Sequence, residues 1–308
     1  MDNPPPQKQQ RLIPQVQPAP TNRGLPPGNV HLSLGSIRKL LGDHDLQLTR
    51  SMGQNFLHDQ HHLLRITKEA QLAAGDKVLE IGPGLGPLTT ALLESGADIT
   101  AVEMDERLVR ILEERFAGFD RVHLLHADAL SWIREQPHQD WTSWKVVSNL
   151  PYSVASPILV EFALHRHAPS TIVVTLQSEV IDRLVSPEGS RDYGILTLLI
   201  QQRYEARRTF RIPAGSFFPP PNVDSGCVVL NRRKEDLLSE AERPLFTTLV
   251  KLAFNQRRKK MSKLLRARYT EEAIEAAFQA LGLDPMIRAE QVGLDQFIRL
   301  LRRFHPSV

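Results

Sequence analysis

Four consecutive residues, Asn149-Leu150-Pro151-Tyr152, combine groups suited to holding an aromatic amine. Proline fixes its own φ and pushes Leu150 towards an extended backbone, so the Leu150 carbonyl can turn into a cleft beside the Asn149 amide. Two neutral acceptors then face one guest. An amine on an aromatic ring is a poor nucleophile because its lone pair is delocalised. Acceptors that bind its N–H groups favour the pyramidal form, whose lone pair can face a methyl donor, and no ionisable base is needed. Tyr152 supplies a flat face for stacking the base, presented from a single strand or flipped from a helix. The plainer reading is a proline turn after a buried strand.

A site for the donor lies upstream, between Lys77 and Glu103. The short apolar run Val78, Leu79, Ile81 suits a buried parallel strand and ends at Gly82-Pro83-Gly84-Leu85-Gly86, a strand-to-helix turn in which glycines let a ligand approach the backbone. A second strand then delivers Glu103 about 20 residues past the first glycine, where α/β nucleotide folds hydrogen-bond a ribose diol. The dinucleotide pattern G-x-G-x-x-G would need glycine at position 87, where Pro87 stands, so the loop favours S-adenosylmethionine over NAD. The amides of Gln54 and Asn55 can fix a carboxylate or a ribose, or simply belong to a helix-entry loop. Asp128 can accept from an adenine amine at a third strand end, or cap the helix Ala129 to Arg134.

These residues need a doubly wound α/β scaffold. Strands are expected at Lys77 to Ile81, Asp98 to Val102, Val122 to Leu125, Trp144 to Ser148 and Thr171 to Leu176, alternating with helices; Arg203 to Ile212 and Ser225 to Leu230 read as an antiparallel closing pair. Phe217 and Phe218, before three prolines, read either as core residues or as a wall opposite Tyr152. From Leu237 strand signals stop and helical spacing takes over, with Glu271 to Leu281 and Leu294 to Phe304 suited to a small bundle. The expected organisation is residues 1–47 as a proline-rich tail plus a short helix, 48–236 as the α/β domain and 237–308 as a helical domain. Residues 1–29 hold eight of the 22 prolines, too little apolar surface to offset ordering, and no secretory or transit signal. A cytoplasmic protein is therefore expected.

Charge sharpens the reading. The net charge is only +3, yet Lys251, Arg257, Arg258, Lys259, Lys260, Lys263, Arg266 and Arg268 occupy one stretch without an acid. One-sided charge of this kind is a footprint for nucleic-acid phosphate, with Arg257, Arg258, Lys259, Lys260 and Lys263 at its centre. Hydrophobic residues make up 41% of the chain, but no apolar run approaches a membrane span. The lone Cys227 excludes an internal disulfide and reads as a small core residue. His58, His61 and His62 lack acids or cysteines at ligand spacing, so they read as solvated helix-start residues and no metal is expected.

From about Leu48 to its end the chain resembles the ribosomal RNA adenine dimethyltransferases, through GQNFL at Gly53 to Leu57, EIGPGLG at Glu80 to Gly86, VEMD at Val102 to Asp105, NLPY at Asn149 to Tyr152 and FPPPNVDS at Phe218 to Ser225. AFNQRRK at Ala253 to Lys259 and LGLDPMIRAE at Leu281 to Glu290 are similar to the bacterial small-subunit branch rather than to resistance methylases of large-subunit RNA. The resemblance implies a Rossmann-like class I methyltransferase sheet with a small helical C-terminal domain, using S-adenosylmethionine to dimethylate N6 of two adjacent adenines in the 3′-terminal hairpin loop of 16S rRNA. It implies the 30S subunit or its precursor as partner, and a monomer. Gln54, Asn55, Leu57, Gly82, Gly84, Glu103, Met104, Asp128, Ala129 and Asn149 would then hold the cofactor. Asn149, Leu150, Pro151 and Tyr152 would handle the target base, with Phe217 as the opposite wall. The basic residues often found before GQNFL are replaced by Arg50-Ser51-Met52, which implies weaker RNA contact there. A binding factor whose methyl transfer is secondary is the competing function.

Overall fold

The structure is a computed structural model and describes residues 32–46, 54–256 and 258–306. Most of the tail, Arg50-Ser51-Met52-Gly53 and Arg257 lie outside them.

Alternating apolar side chains on the central strands sort the core into two faces. The chain runs α1 (Leu34–Asp43), β1 (Phe56–Leu57), α2 (Gln60–Ala70), β2 (Lys77–Ile81), α3 (Pro87–Glu94), β3 (Asp98–Glu103), α4 (Glu106–Arg115), β4 (Val122–His126), α5 (Ala129–Arg134), β5 (Trp144–Asn149), α6 (Tyr152–Leu164), β6 (Thr171–Gln177), α7 (Ser178–Val185), α8 (Ile195–Gln201), β7 (Tyr204–Ile212), β8 (Phe217–Phe218) and β9 (Ser225–Arg232). Val78, Val147 and Val173 pack with Leu63 and Ile66 of α2 and Leu88 of α3. Their neighbours Leu79, Val146 and Val174 pack on the other side with Ile133 of α5, Ile158 of α6 and Ile181 of α7.

The seven-stranded sheet has the order β4-β3-β2-β5-β6-β9-β7. The first five strands are parallel, whereas β9 inserts antiparallel between β6 and β7. Order reverses at β2, where β3 and β5 flank it, and ligands of open α/β sheets bind at such a switch point. A separate two-stranded ribbon pairs β1 with β8. The helix α1 packs Ile37 and Leu41 on Leu85 of the glycine turn and on Leu108 and Ile111 of α4.

The remaining helices α9 (Glu242–Ala253), α10 (Met261–Leu265), α11 (Glu271–Leu281) and α12 (Leu294–Phe304) form a bundle around Phe246, Phe278 and Phe297. This unit docks beside α8, and Tyr193 joins its core by donating its hydroxyl to the Val292 carbonyl at 2.9 Å. A cleft of about 680 Å³ between the two units is lined by Pro157, Arg183, Arg191, Lys251 and Phe254.

Two expectations are corrected by packing. His62 is buried, not solvated: it lies on the inner face of α2 with Ile66 and Ala70, and its ring stacks on Phe210 at 5.8 Å. Phe217 is also buried, at 2% exposure, in the core with Leu57 and Ile212. Cys227 lies fully buried in β9, where desolvation pushes its thiol up to about 12.

Candidate active site

Beyond the carboxyl ends of β2, β3 and β5 opens a cavity of about 200 Å³. The glycine turn forms its floor. Gly82 and Gly84 have φ of 66° and 64°, conformations open to glycine at little cost. A Cβ on Gly82 would meet Pro151 at 2.9 Å, and one on Gly84 would meet the Phe56 ring at 2.7 Å. The turn is thus clamped between the NLPY segment and the GQNFL segment.

Glu103 ends β3, almost buried, and accepts from the backbone N–H of Gly84 (3.1 Å), Met104 (2.9 Å) and Asp105 (3.0 Å). Desolvation raises its pKa against the opposing pull of these donors. Asp105 caps α4 and also accepts from Gln54 Nε2 at 3.0 Å; chiefly the Arg107 hydrogen bond holds its carboxyl below the ordinary range. Asp128 caps α5 through the Ser131 N–H at 2.7 Å, as one of its two readings expected, and it also lines the cavity.

At the end of β5, Asn149 donates from Nδ2 to the Asn55 carbonyl at 3.0 Å, and its Oδ1 accepts from the Thr175 hydroxyl. Leu150 is buried but lines the cavity, and Pro151 caps the helix that begins at Tyr152. Tyr152 therefore sits on the first turn of α6. Its hydroxyl and Ser225 Oγ are 2.5 Å apart, which fixes the ring, and burial raises its pKa.

The ten residues proposed for the cofactor, and Leu150, Pro151 and Tyr152 with them, all border this one cavity; Phe217 does not. Sequence reasoning missed Glu80. Its carboxyl is buried, accepts from Thr89 Oγ1 at 2.6 Å, and is pushed up to about 8 by desolvation. An acid inside the apolar run of β2 was the available signal. Among the described residues the cavity is lined by four acids, Glu80, Glu103, Asp105 and Asp128, and by no lysine, arginine or histidine. Glu80 is mostly protonated near neutral pH, but the absence of any basic side chain beside the other three acids suits a ligand carrying positive charge and disfavours a pyrophosphate.

The basic residues gather elsewhere. Arg258, Lys259, Lys260 and Lys263 are all exposed, in the turn between α9 and α10 and on α10 itself.

Residues 46–305 match the family described as "Ribosomal RNA adenine dimethylase". The chain is 38% identical to "Ribosomal RNA small subunit methyltransferase A" of Myxococcus xanthus, with 88% of this chain and 96% of that one covered. It is 36% identical to the protein of the same name from Lactiplantibacillus plantarum, over 88% of this chain and 94% of that one. A solved dimethyladenosine transferase from Plasmodium falciparum, 22% identical, superposes with a TM-score of 0.71 over 82% of this chain and 98% of its own. With the sheet order, the cavity and the motif positions in agreement, the chain belongs to the ribosomal RNA adenine dimethylase family.

Proposed function

We propose that the protein dimethylates N6 of two adjacent adenines in the 3′-terminal hairpin loop of 16S rRNA, with S-adenosylmethionine as methyl donor, while the small ribosomal subunit is assembled in the cytoplasm. The observation that carries this reading is that Asn149 to Tyr152 and the Gly82 to Gly86 turn border the same acid-lined cavity.

The residues fit the donor. Glu103 offers carboxylate oxygens to a ribose diol, and its three backbone donors hold them in place. Met104, Asp128 and Ala129, which line the cavity together, would hold the adenine, and Gln54 and Asn55 would hold the amino-acid end. When bound, S-adenosylmethionine supplies an electrophilic methyl carbon on a sulfonium. Asn149 Oδ1 and the Leu150 carbonyl grip the N–H groups of the target amine and turn its lone pair towards that carbon. Tyr152 carries the base on its ring, held by Ser225. Orientation of this kind supplies catalysis without a titrating base.

Arg258, Lys259, Lys260 and Lys263 bind RNA phosphates and position the hairpin without reading its sequence. Mass spectrometry of 16S rRNA from a deletion strain tests the reading. Dimethyladenosine should vanish from the terminal loop and return with the intact gene but not with Asn149→Ala; its persistence in the deletion strain would refute the assignment.

A further inference from the structure

We infer that Thr175 is a positioning residue that locks the Asn149 amide with its oxygen available to the target amine. The inference rests on the adenine methylation proposed above and assigns a role to a residue that borders no part of the cavity.

The orientation follows from what each neighbour can do. A main-chain carbonyl only accepts, so the end of the Asn149 side chain facing the Asn55 carbonyl at 3.0 Å must be the NH2 group. The other end is then Oδ1, which also only accepts, so the Thr175 hydroxyl beside it must donate. An asparagine amide is often ambiguous by 180°; here the Asn55 carbonyl, which can only accept, removes the ambiguity, and the Thr175 hydroxyl holds the end that is left. Register makes the contact possible. Asn149 and Thr175 are paired residues of adjacent parallel strands, β5 and β6, so their side chains leave the sheet on the same face. Thr175 is fully buried, out of reach of water that could take its place. One lone pair on Oδ1 remains for a substrate N–H.

The two methylations place unequal demands on this lock. Adenine presents two N–H groups to two acceptors, whereas N6-methyladenine presents one. A loosened acceptor should therefore harm the second transfer more than the first, and the monomethyl product should accumulate.

Thr175→Val keeps the shape and removes the hydroxyl; Thr175→Ser restores it. In the full-length enzyme acting on 30S particles, Thr175→Val is expected to lower kcat by about 10- to 100-fold. KM for S-adenosylmethionine should stay within about twofold, as for an interaction that matters in the transition state. N6-methyladenine should rise relative to dimethyladenine, and Thr175→Ser should recover most of both. Wild-type kcat and product ratio in Thr175→Val would overturn the role. So would equal impairment of the two variants, which would point to packing, or loss of cofactor binding in Thr175→Val by calorimetry. Absence of methylated adenine with the wild-type enzyme would instead remove the proposed function, and this inference with it.

Discussion

The Gln54 side-chain amide donates to the Asp105 carboxylate at 3.0 Å, joining two segments of the cavity lining that lie 51 residues apart. The bond reaches from the segment ahead of β1 to the cap of α4, two residues beyond the Glu103 proposed for the cofactor. Gln54→Ala should raise the dissociation constant for S-adenosylmethionine by about tenfold, the scale of one hydrogen bond to a charged acceptor. The rate at saturating cofactor should change little. Calorimetric titration and steady-state kinetics together check this.

Glu80 should make stability depend on pH. Its carboxyl is raised from 4.5 to about 8 in the folded protein. Between those values the unfolded chain has lost a proton that the native state still holds, so unfolding becomes easier as pH rises. Glu80→Gln keeps an acceptor for Thr89 without the charge. Its stability relative to wild type should be lowest near or below pH 4.5, grow through the window, and level off above about 8. The gain should reach a few kcal/mol at most, at about 1.4 kcal/mol per pH unit. Urea melts of both proteins across that range measure the difference.

Gly84→Ala tests the clamp on the glycine turn. Alanine would have to adopt a φ of 64° and place its Cβ 2.7 Å from the Phe56 ring. A cost of about 1–3 kcal/mol is expected from backbone strain alone. Because Phe56 must move, cofactor affinity should fall as well, and a melting curve with and without S-adenosylmethionine separates the two effects.

The exposed basic turn predicts a salt response. Replacing Arg258, Lys259 and Lys260 by alanine should lower the slope of log affinity against log salt by about 2, roughly 0.7 per lost phosphate contact on single-stranded RNA. Methyl transfer at saturating RNA should be preserved. Filter binding of the terminal hairpin from low to high salt gives the slope directly.

The alternation of strands and helices from β2 to β6 was legible because each strand is a short apolar run closed by a turn signal. So was the gathering of Gly82, Glu103, Asp128 and Asn149, since all lie at or just past strand ends on one edge of a parallel sheet, whereas Gln54 joins them from ahead of β1 in the separate ribbon. Phe217 was not. It neighbours Phe218 on β8, so the two side chains point to opposite faces, and only the pairing of Phe217 with Leu57 decides which one is buried. That pairing spans 160 residues and leaves no local trace. The site of Tyr152 was half legible: its place in the motif was visible, but its hold on Ser225 depends on β9 inserting beside β6. His62 misled because its polar neighbours His58 and His61 suggested a wet helix start, whereas its position four residues before Ile66 puts it on the inner face.

The late insertion of β9 also orders events during synthesis. Domains fold as units, and although every residue lining the cavity is synthesised by Val154, β1, which brings Phe56 and Leu57 into its wall, pairs with β8. Ser225, which steadies Tyr152, follows only after another 70 or so residues. A nascent chain thus completes both the wall of the cavity and the edge that steadies Tyr152 only when the stretch from Phe217 to Ser225 has been made.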